Sequence, residues 1–174
     1  QLHVKRAIDV LWVTGERQAA LARLLGYPTD RIWDGYYACD WSKFACKREY
    51  ESVPGPNTSD PCFLYVGRYV ETKGLNTLAE AYSMYREMVA APWKLTCVGA
   101  GPLAPTVRAA GAEDLGFLQP EDLPDIMQRA GAFVLPSRFE PWGVVAQEAA
   151  ASGLPLLLSD QVGAGVHMMR SSWN

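Results

Sequence analysis

Residues 132–159 read AFVLPSRFEPWGVVAQEAAASGLPLLLS. Residues 132–135 are a short apolar run of the kind that forms a buried strand, and Pro136 ends it. The Ala-rich run that follows has helical composition. Pro141 suits a first helical position, where its missing N–H is no loss, so the helix is expected over residues 142–152, with Gly143 keeping the first turn open. Residues 155–159, PLLLS, return as a second strand. Strand, helix and strand in succession are the unit of a parallel sheet.

Working outward, the same alternation runs back to Cys62. Strands are expected at 63–67, 93–99, 114–118 and 132–135, with helices at 76–89, 103–110, 122–129 and 142–152. The fold class is therefore α/β, a parallel sheet with helices on both faces, Rossmann-like. Ligands of such sheets sit beyond the carboxyl ends of the strands. The composition shifts over 52–62, SVPGPNTSDPC, which continues neither element type. A linker at 53–62 thus separates a segment at 1–52 from a unit at 63–174. Within the first segment, 7–14 reads as a strand, 16–25 as a helix and 31–38 as an extended stretch.

Two carboxylates stand in the opening stretch with seven residues between them. Glu140 falls in the loop and Glu148 inside the helix. The first-turn amides of Trp142, Gly143, Val144 and Val145 have no intrahelical acceptor, and the helix dipole adds partial positive charge there, so an anion can bind. Glu148 lies some six residues into the helix, which puts its carboxylate roughly 8–10 Å beyond that anion. A ribose joined to a phosphate would lie at this distance, with Glu140 on the other side. The pattern describes a nucleotide sugar. On spacing alone, a solvated loop residue and an outward-facing helix residue are the better account of the two glutamates, and the surrounding motifs reverse that preference.

Residues 67–74, GRYVETKG, follow the strand at 63–67. Gly67 allows a sharp turn, and Arg68 and Lys73 bring two cations to the carboxyl edge of the sheet. Donors aimed at charge developing on a leaving group contribute about 3–4 kcal/mol each. Gly99 and Gly101 form another strand-end turn, a weak signal by itself.

Together these motifs resemble the retaining GT-B glycosyltransferases, the group that includes glycogen and sucrose synthases and bacterial mannosyltransferases. The stretch from Glu140 to Glu148 resembles their E-x7-E signature, and GRYVETKG matches G-R-x-x-x-x-K-G. The resemblance implies that Arg68 and Lys73 hold the diphosphate and that Glu140 supports the donor sugar, the three forming the catalytic set. Glu148 would grip the ribose. Gly67, Trp142, Gly143, Val144, Gly99, Gly101 and Leu118 would complete the donor site, with the Leu118 backbone, at the end of the 114–118 strand, near a base that stays unnamed. The 1–52 segment is similar to the end of the family's amino-terminal domain, including WSKF at 41–44. It departs at 35–40, where GYYACD replaces the usual Pro-Asn-Gly-Val-Asp.

The activity so implied is glycosyl transfer from a nucleotide-diphosphate sugar to an acceptor hydroxyl with retention, without metal and with no cofactor beyond the donor substrate. The acceptor, a glycan, a lipid or a small molecule, stays unnamed. This chain would supply the donor-binding half; the missing amino-terminal domain would carry the acceptor site and any peripheral contact with the inner membrane face, and the isolated fragment would be inactive. A non-catalytic nucleotide-sugar module and a sugar-nucleotide epimerase of similar architecture are the rival readings.

Composition bounds the rest. The 174 residues are 49% hydrophobic and 20% charged, with a net charge of −3, a profile that excludes disorder and offers nucleic acid no basic block. The cysteines, Cys39, Cys46, Cys62 and Cys97, form no C-x-x-C pair, which favours a reducing, cytoplasmic setting. No signal-peptide pattern or bilayer-length apolar run occurs, and with Gln1 in place of an initiating Met the chain is expected to be a piece of a longer protein, a natural short protein being the alternative. His3 and His167 sit in no ligand pattern, so no metal site is expected; His167 reads as an ordinary loop or helix residue. Trp33, Tyr36, Tyr37 and Trp41 form an aromatic group best explained by core or interdomain packing.

Overall fold

The computed structural model describes residues 7–45 and 60–169. Most of the expected linker, at 53–59, lies outside them, as do His3 and Cys46. In chain order the elements are β1 (Leu11–Val13), α1 (Glu16–Leu24), β2 (Ile32–Asp34), α2 (Trp41–Phe44), β3 (Cys62–Val66), α3 (Leu75–Met88) and β4 (Lys94–Val98). Then come α4 (Ala104–Ala109), β5 (Glu113–Asp114), α5 (Leu123–Arg129), β6 (Ala132–Leu135), α6 (Val144–Ala151), β7 (Leu156–Leu158) and α7 (Gly165–Met168).

Strands β3 to β7 form one parallel sheet in the order β5-β4-β3-β6-β7. Its central strands are buried on both faces, which is why they read as continuous apolar runs. Leu64, Tyr65, Cys97 and Phe133 are wholly enclosed. Leu75 and Tyr82 of α3, Val107 of α4 and Met127 of α5 join them in one core. Helix α6 contributes Ala146, Ala149 and Ala151, and side chains this small let its backbone lie close to the sheet.

The amino-terminal segment makes a separate two-stranded parallel sheet in which Leu11 pairs with Ile32 and Trp12 with Trp33. Strand alternation explains its two faces. Val13 packs with Ala19 and Ala22 of α1, while Trp12 on the other face is 78% exposed. The strands expected at 7–14 and 31–38 shrink to three residues each, because Pro28 leads into a 3-10 turn at Thr29–Arg31 and Gly35 follows β2. The aromatic group expected to pack in a core or between domains lies outside the core, and Tyr36 and Tyr37 pack on Trp142. Trp33, Tyr36, Tyr37 and Trp41 are each more than half exposed, since the short strands leave them no second layer to enter. Phe44 of α2 does enter the main core, and α2 packs against α6.

Candidate functional site

Strand order reverses between β3 and β6. The chain leaves β3 toward β4 and β5 but leaves β6 toward β7, so the loops after β3 and β6 diverge and open a crevice at the carboxyl edge. Residues 67–74 line one side and residues 136–143 the other.

The two loops are tied together. The Arg138 and Phe139 amides both donate to the Thr72 carbonyl, at 2.9 and 3.2 Å. Lys73 ends a 3-10 turn, Glu71–Lys73, and Gly74 then takes a left-handed conformation with φ 71°. A Cβ on Gly74 would lie 2.0 Å from the Pro136 carbonyl oxygen, so only glycine permits this approach. Across the seam, the Lys73 ammonium donates to Oε2 of Glu140. The two side chains are only 14% and 12% exposed. Glu140 is fixed from behind, its carbonyl accepting from the Gly163 amide at 3.0 Å.

Helix α6 begins two residues later than expected, at Val144, with Gly143 outside it at φ 93°. Pro141 and Trp142 therefore do not open the helix. The Trp142 carbonyl is committed to the Ala164 amide at 2.8 Å, and its ring is buried. The Ala146 amide returns to the Gly143 carbonyl at 2.9 Å. Of the four amides expected to be free in the first turn, those of Val144 and Val145 are the two that remain inside the helix without an intrahelical acceptor. Glu148 follows Val144 by four residues, about 6 Å along the axis. It is partly buried, and burial holds its carboxyl above the ordinary value of 4.5. Its carboxylate makes no hydrogen bond or ion pair with a described residue, while its backbone carbonyl accepts from the Ser152 amide and hydroxyl, both at 3.0 Å.

Arg68 is exposed and likewise forms no ion pair among the described residues. One buried phenol, Tyr65, registers both sides of the crevice. Burial raises its pKa most, the charges of Cys97 and Glu140 add to this, and Arg68 opposes them. Gly67 has no positive φ, so it is not needed for a sharp turn. A Cβ there would instead sit 2.9 Å from the Tyr65 hydroxyl. The Gly67 amide donates to the Val98 carbonyl at 2.9 Å, and the Gly99 amide to the Gly116 carbonyl at 2.8 Å. Gly101 lies beside the Tyr69 backbone. Leu118 does not end a strand, because β5 stops at Asp114. Asp114 takes hydrogen bonds from the Tyr69 hydroxyl, the Gly116 amide and Arg108, while the Leu115 amide still donates to the Cys97 carbonyl of β4 at 2.9 Å. Burial pushes the Asp114 carboxyl up, and these three donors overcome it, holding the group below its usual range.

Sequence reasoning passed over Tyr65, Tyr69 and Asp114, although two tyrosines inside so apolar a run as FLYVGRY, each with a hydroxyl to satisfy, were a usable signal. It also missed the packing of His167. The Tyr36 ring stacks on Trp142 at 5.3 Å and meets His167 at 4.8 Å. The Glu16 amide donates to Nε2 of His167 at 3.4 Å. Ser137 is 1% exposed, and its hydroxyl has no protein partner.

Chemically, the crevice offers Arg68 and Arg138, which form no ion pair among the described residues, a further cation, Lys73, paired to a carboxylate, two helix amides and a partly buried carboxylate without a described partner. This suits an anion flanked by hydroxyl groups. Among the described residues no group of three or more His, Cys, Asp and Glu could hold a metal ion, and no helix is long and apolar enough to cross a membrane.

The family model described as Glycosyl transferases group 1 matches residues 47–171. Glycogen synthase of Mycobacterium tuberculosis is 34% identical over 142 residues, covering 77% of this chain and 32% of its own length. O-antigen chain mannosyltransferase B of Escherichia coli is 26% identical over 164 residues, covering 87% of this chain and 43% of its own. Sucrose-phosphate synthase from Thermosynechococcus elongatus superposes with a TM-score of 0.73 at 23% identity, over 92% of this chain and 43% of that one. A pneumococcal O-GlcNAc transferase in complex with UDP and GlcNAc superposes at 0.72 and 16% identity, over 95% of this chain and 33% of that one. The chain thus spans less than half the length of each of these proteins.

Proposed function

Since the chain belongs to the glycosyl transferases group 1 family, we propose that it is the nucleotide-sugar-binding half of a retaining, metal-independent glycosyltransferase. The diphosphate lies in the crevice between β3 and β6, against Arg68, Lys73 and the amides of Val144 and Val145. Glu140 faces the donor sugar and supports the positive charge that develops at its anomeric carbon. Glu148 accepts hydrogen bonds from the ribose. As the bond to the sugar breaks, negative charge grows on the leaving diphosphate, and fixed cations and amides stabilise it without reorganisation. Ribose and diphosphate stand between Glu140 and Glu148, unlike a glycosidase, whose two carboxylates flank one bond.

The observation that carries this reading is the Lys73–Glu140 ion pair, which places a cation for the phosphates and a carboxylate for the sugar at one point of the crevice. A fold neighbour that holds UDP and GlcNAc supports the ligand class. Ligand-observed NMR of the 174-residue chain with uridine, guanosine and adenosine diphosphate sugars tests it. One base series is expected to show saturation transfer to ribose and sugar protons. Glu148→Ala is expected to remove the ribose signals and leave binding of inorganic pyrophosphate nearly intact. Absence of binding by every donor would refute the proposal. Sugar transfer by this chain alone is not expected, because acceptor placement and exclusion of water need a facing domain.

A further inference from the structure

We propose that Tyr65 is a positioning residue for Arg68, its buried hydroxyl fixing the turn from which the guanidinium enters the crevice. The inference rests on the reading of Arg68 as a diphosphate ligand. Tyr65 lies on β3 and is wholly buried. A phenol in such a place needs an acceptor, since a buried hydroxyl left unmet is unfavourable. The acceptor it uses is the Arg68 carbonyl, at 3.0 Å and three residues onward.

That bond spans the turn at Gly67. The same carbonyl accepts from the Val70 amide at 3.1 Å, so the Arg68 peptide is held from two directions with its oxygen turned inward. The side chain of Arg68 is left facing solvent at the carboxyl edge. Gly67 fits this arrangement: its φ is not positive, and a side chain would strike the Tyr65 hydroxyl. The glycine is thus required by the tyrosine beneath it. Burial and the nearby Glu140 keep the phenol protonated, so it remains a donor.

Other buried tyrosines use their hydroxyls differently. That of Tyr69 goes to Asp114, and that of Tyr82 accepts the Leu95 amide and donates to the Trp93 carbonyl, away from the crevice. Among these three, Tyr65 alone bonds the backbone of a proposed ligand residue.

The test is a 31P NMR titration of the 174-residue chain with inorganic pyrophosphate in chelated buffer. Arg68→Ala is expected to weaken binding about tenfold, in line with loss of one charge-assisted contact. Tyr65→Phe is expected to weaken it severalfold in the parent but less than twofold in the Arg68→Ala background. Tyr82→Phe, which also removes a buried hydroxyl, is expected to leave affinity within twofold. Equal weakening by Tyr65→Phe in both backgrounds, or none while Arg68→Ala weakens binding, would overturn the inference and leave the role of Arg68 standing. If Arg68→Ala has no effect, the diphosphate reading of Arg68 fails and this inference with it. Gly67→Ala supplies a second measurement should Tyr65→Phe prove unstable. It is expected to weaken pyrophosphate binding severalfold, and unchanged affinity would overturn the inference.

Discussion

The Lys73–Glu140 pair lies between two regimes, and the structure says how far. An exposed ion pair contributes about 0–1 kcal/mol, whereas removing one partner of a fully buried pair costs about 3–5 kcal/mol because a charge is left without its counter-ion. With side chains 14% and 12% exposed, Lys73→Met or Glu140→Leu alone should destabilise by about 2–3 kcal/mol. For a chain of this length that corresponds to a Tm lower by about 4–12 °C. The double substitution, which leaves no orphan charge, should return to within about 1 kcal/mol of the parent. Urea unfolding followed by circular dichroism gives all four corners of the cycle. Single variants within about 0.5 kcal/mol of the parent would refute the reasoning, as would a double variant whose loss equals the sum of the two. The stable double variant is also expected to bind no nucleotide sugar, which separates the pair's part in ligand binding from its part in stability.

Two further outcomes follow from single residues. Burial raises the Glu148 carboxyl above 4.5, so the folded state holds its proton more tightly than the unfolded chain does, and stability is lost as pH rises through the folded value. Glu148→Gln should therefore raise Tm at pH 7, and the gain should vanish below about pH 4; an unchanged or lower Tm at pH 7 would contradict the desolvation argument. Gly74→Ala puts a methyl 2.0 Å from a backbone oxygen in a left-handed conformation. A loss of more than about 3 kcal/mol is expected, and a mild effect in the same urea assay would show that the two loops can part.

Most of the fold was legible because the main sheet obeys simple rules. Strands enclosed on both faces must be apolar throughout, and the turns between them need Gly and Pro; FLYV, LTCV and AFVL each announce themselves in this way. The charged residues of the crevice were legible too, since Arg68, Lys73 and Glu140 stand next to strand ends. What the sequence did not disclose depends on three-dimensional contact. The start of α6 moved because the Trp142 carbonyl binds the Ala164 amide, a residue beyond β7. Gly67 looked like a turn glycine, while its neighbour in space is the hydroxyl of Tyr65. Two of the three donors on Asp114, Tyr69 and Arg108, are likewise contacts that neighbourhood in sequence does not give.

Glu148 shows how the amino-terminal segment acts on the crevice. In an Ala-rich helix with one face on the sheet, a glutamate would ordinarily look outward to water and titrate as a free carboxylate. Here residues 36–44 run along α6. Tyr36 and Tyr37 pack on Trp142 just before the helix, Phe44 enters the core, and α2 lies against α6. Cys39 sits close enough to Glu148 that, after burial, the carboxylate's charge contributes to raising the thiol's pKa. The segment therefore lies near a carboxylate that burial holds above its ordinary value. A desolvated carboxylate without protein donors is unfavourable until donors arrive, and on the proposed reading a ribose would bring two. The stretch GYYACD thus carries Tyr36, Tyr37 and Cys39, the residues by which the amino-terminal segment meets Trp142 and approaches Glu148.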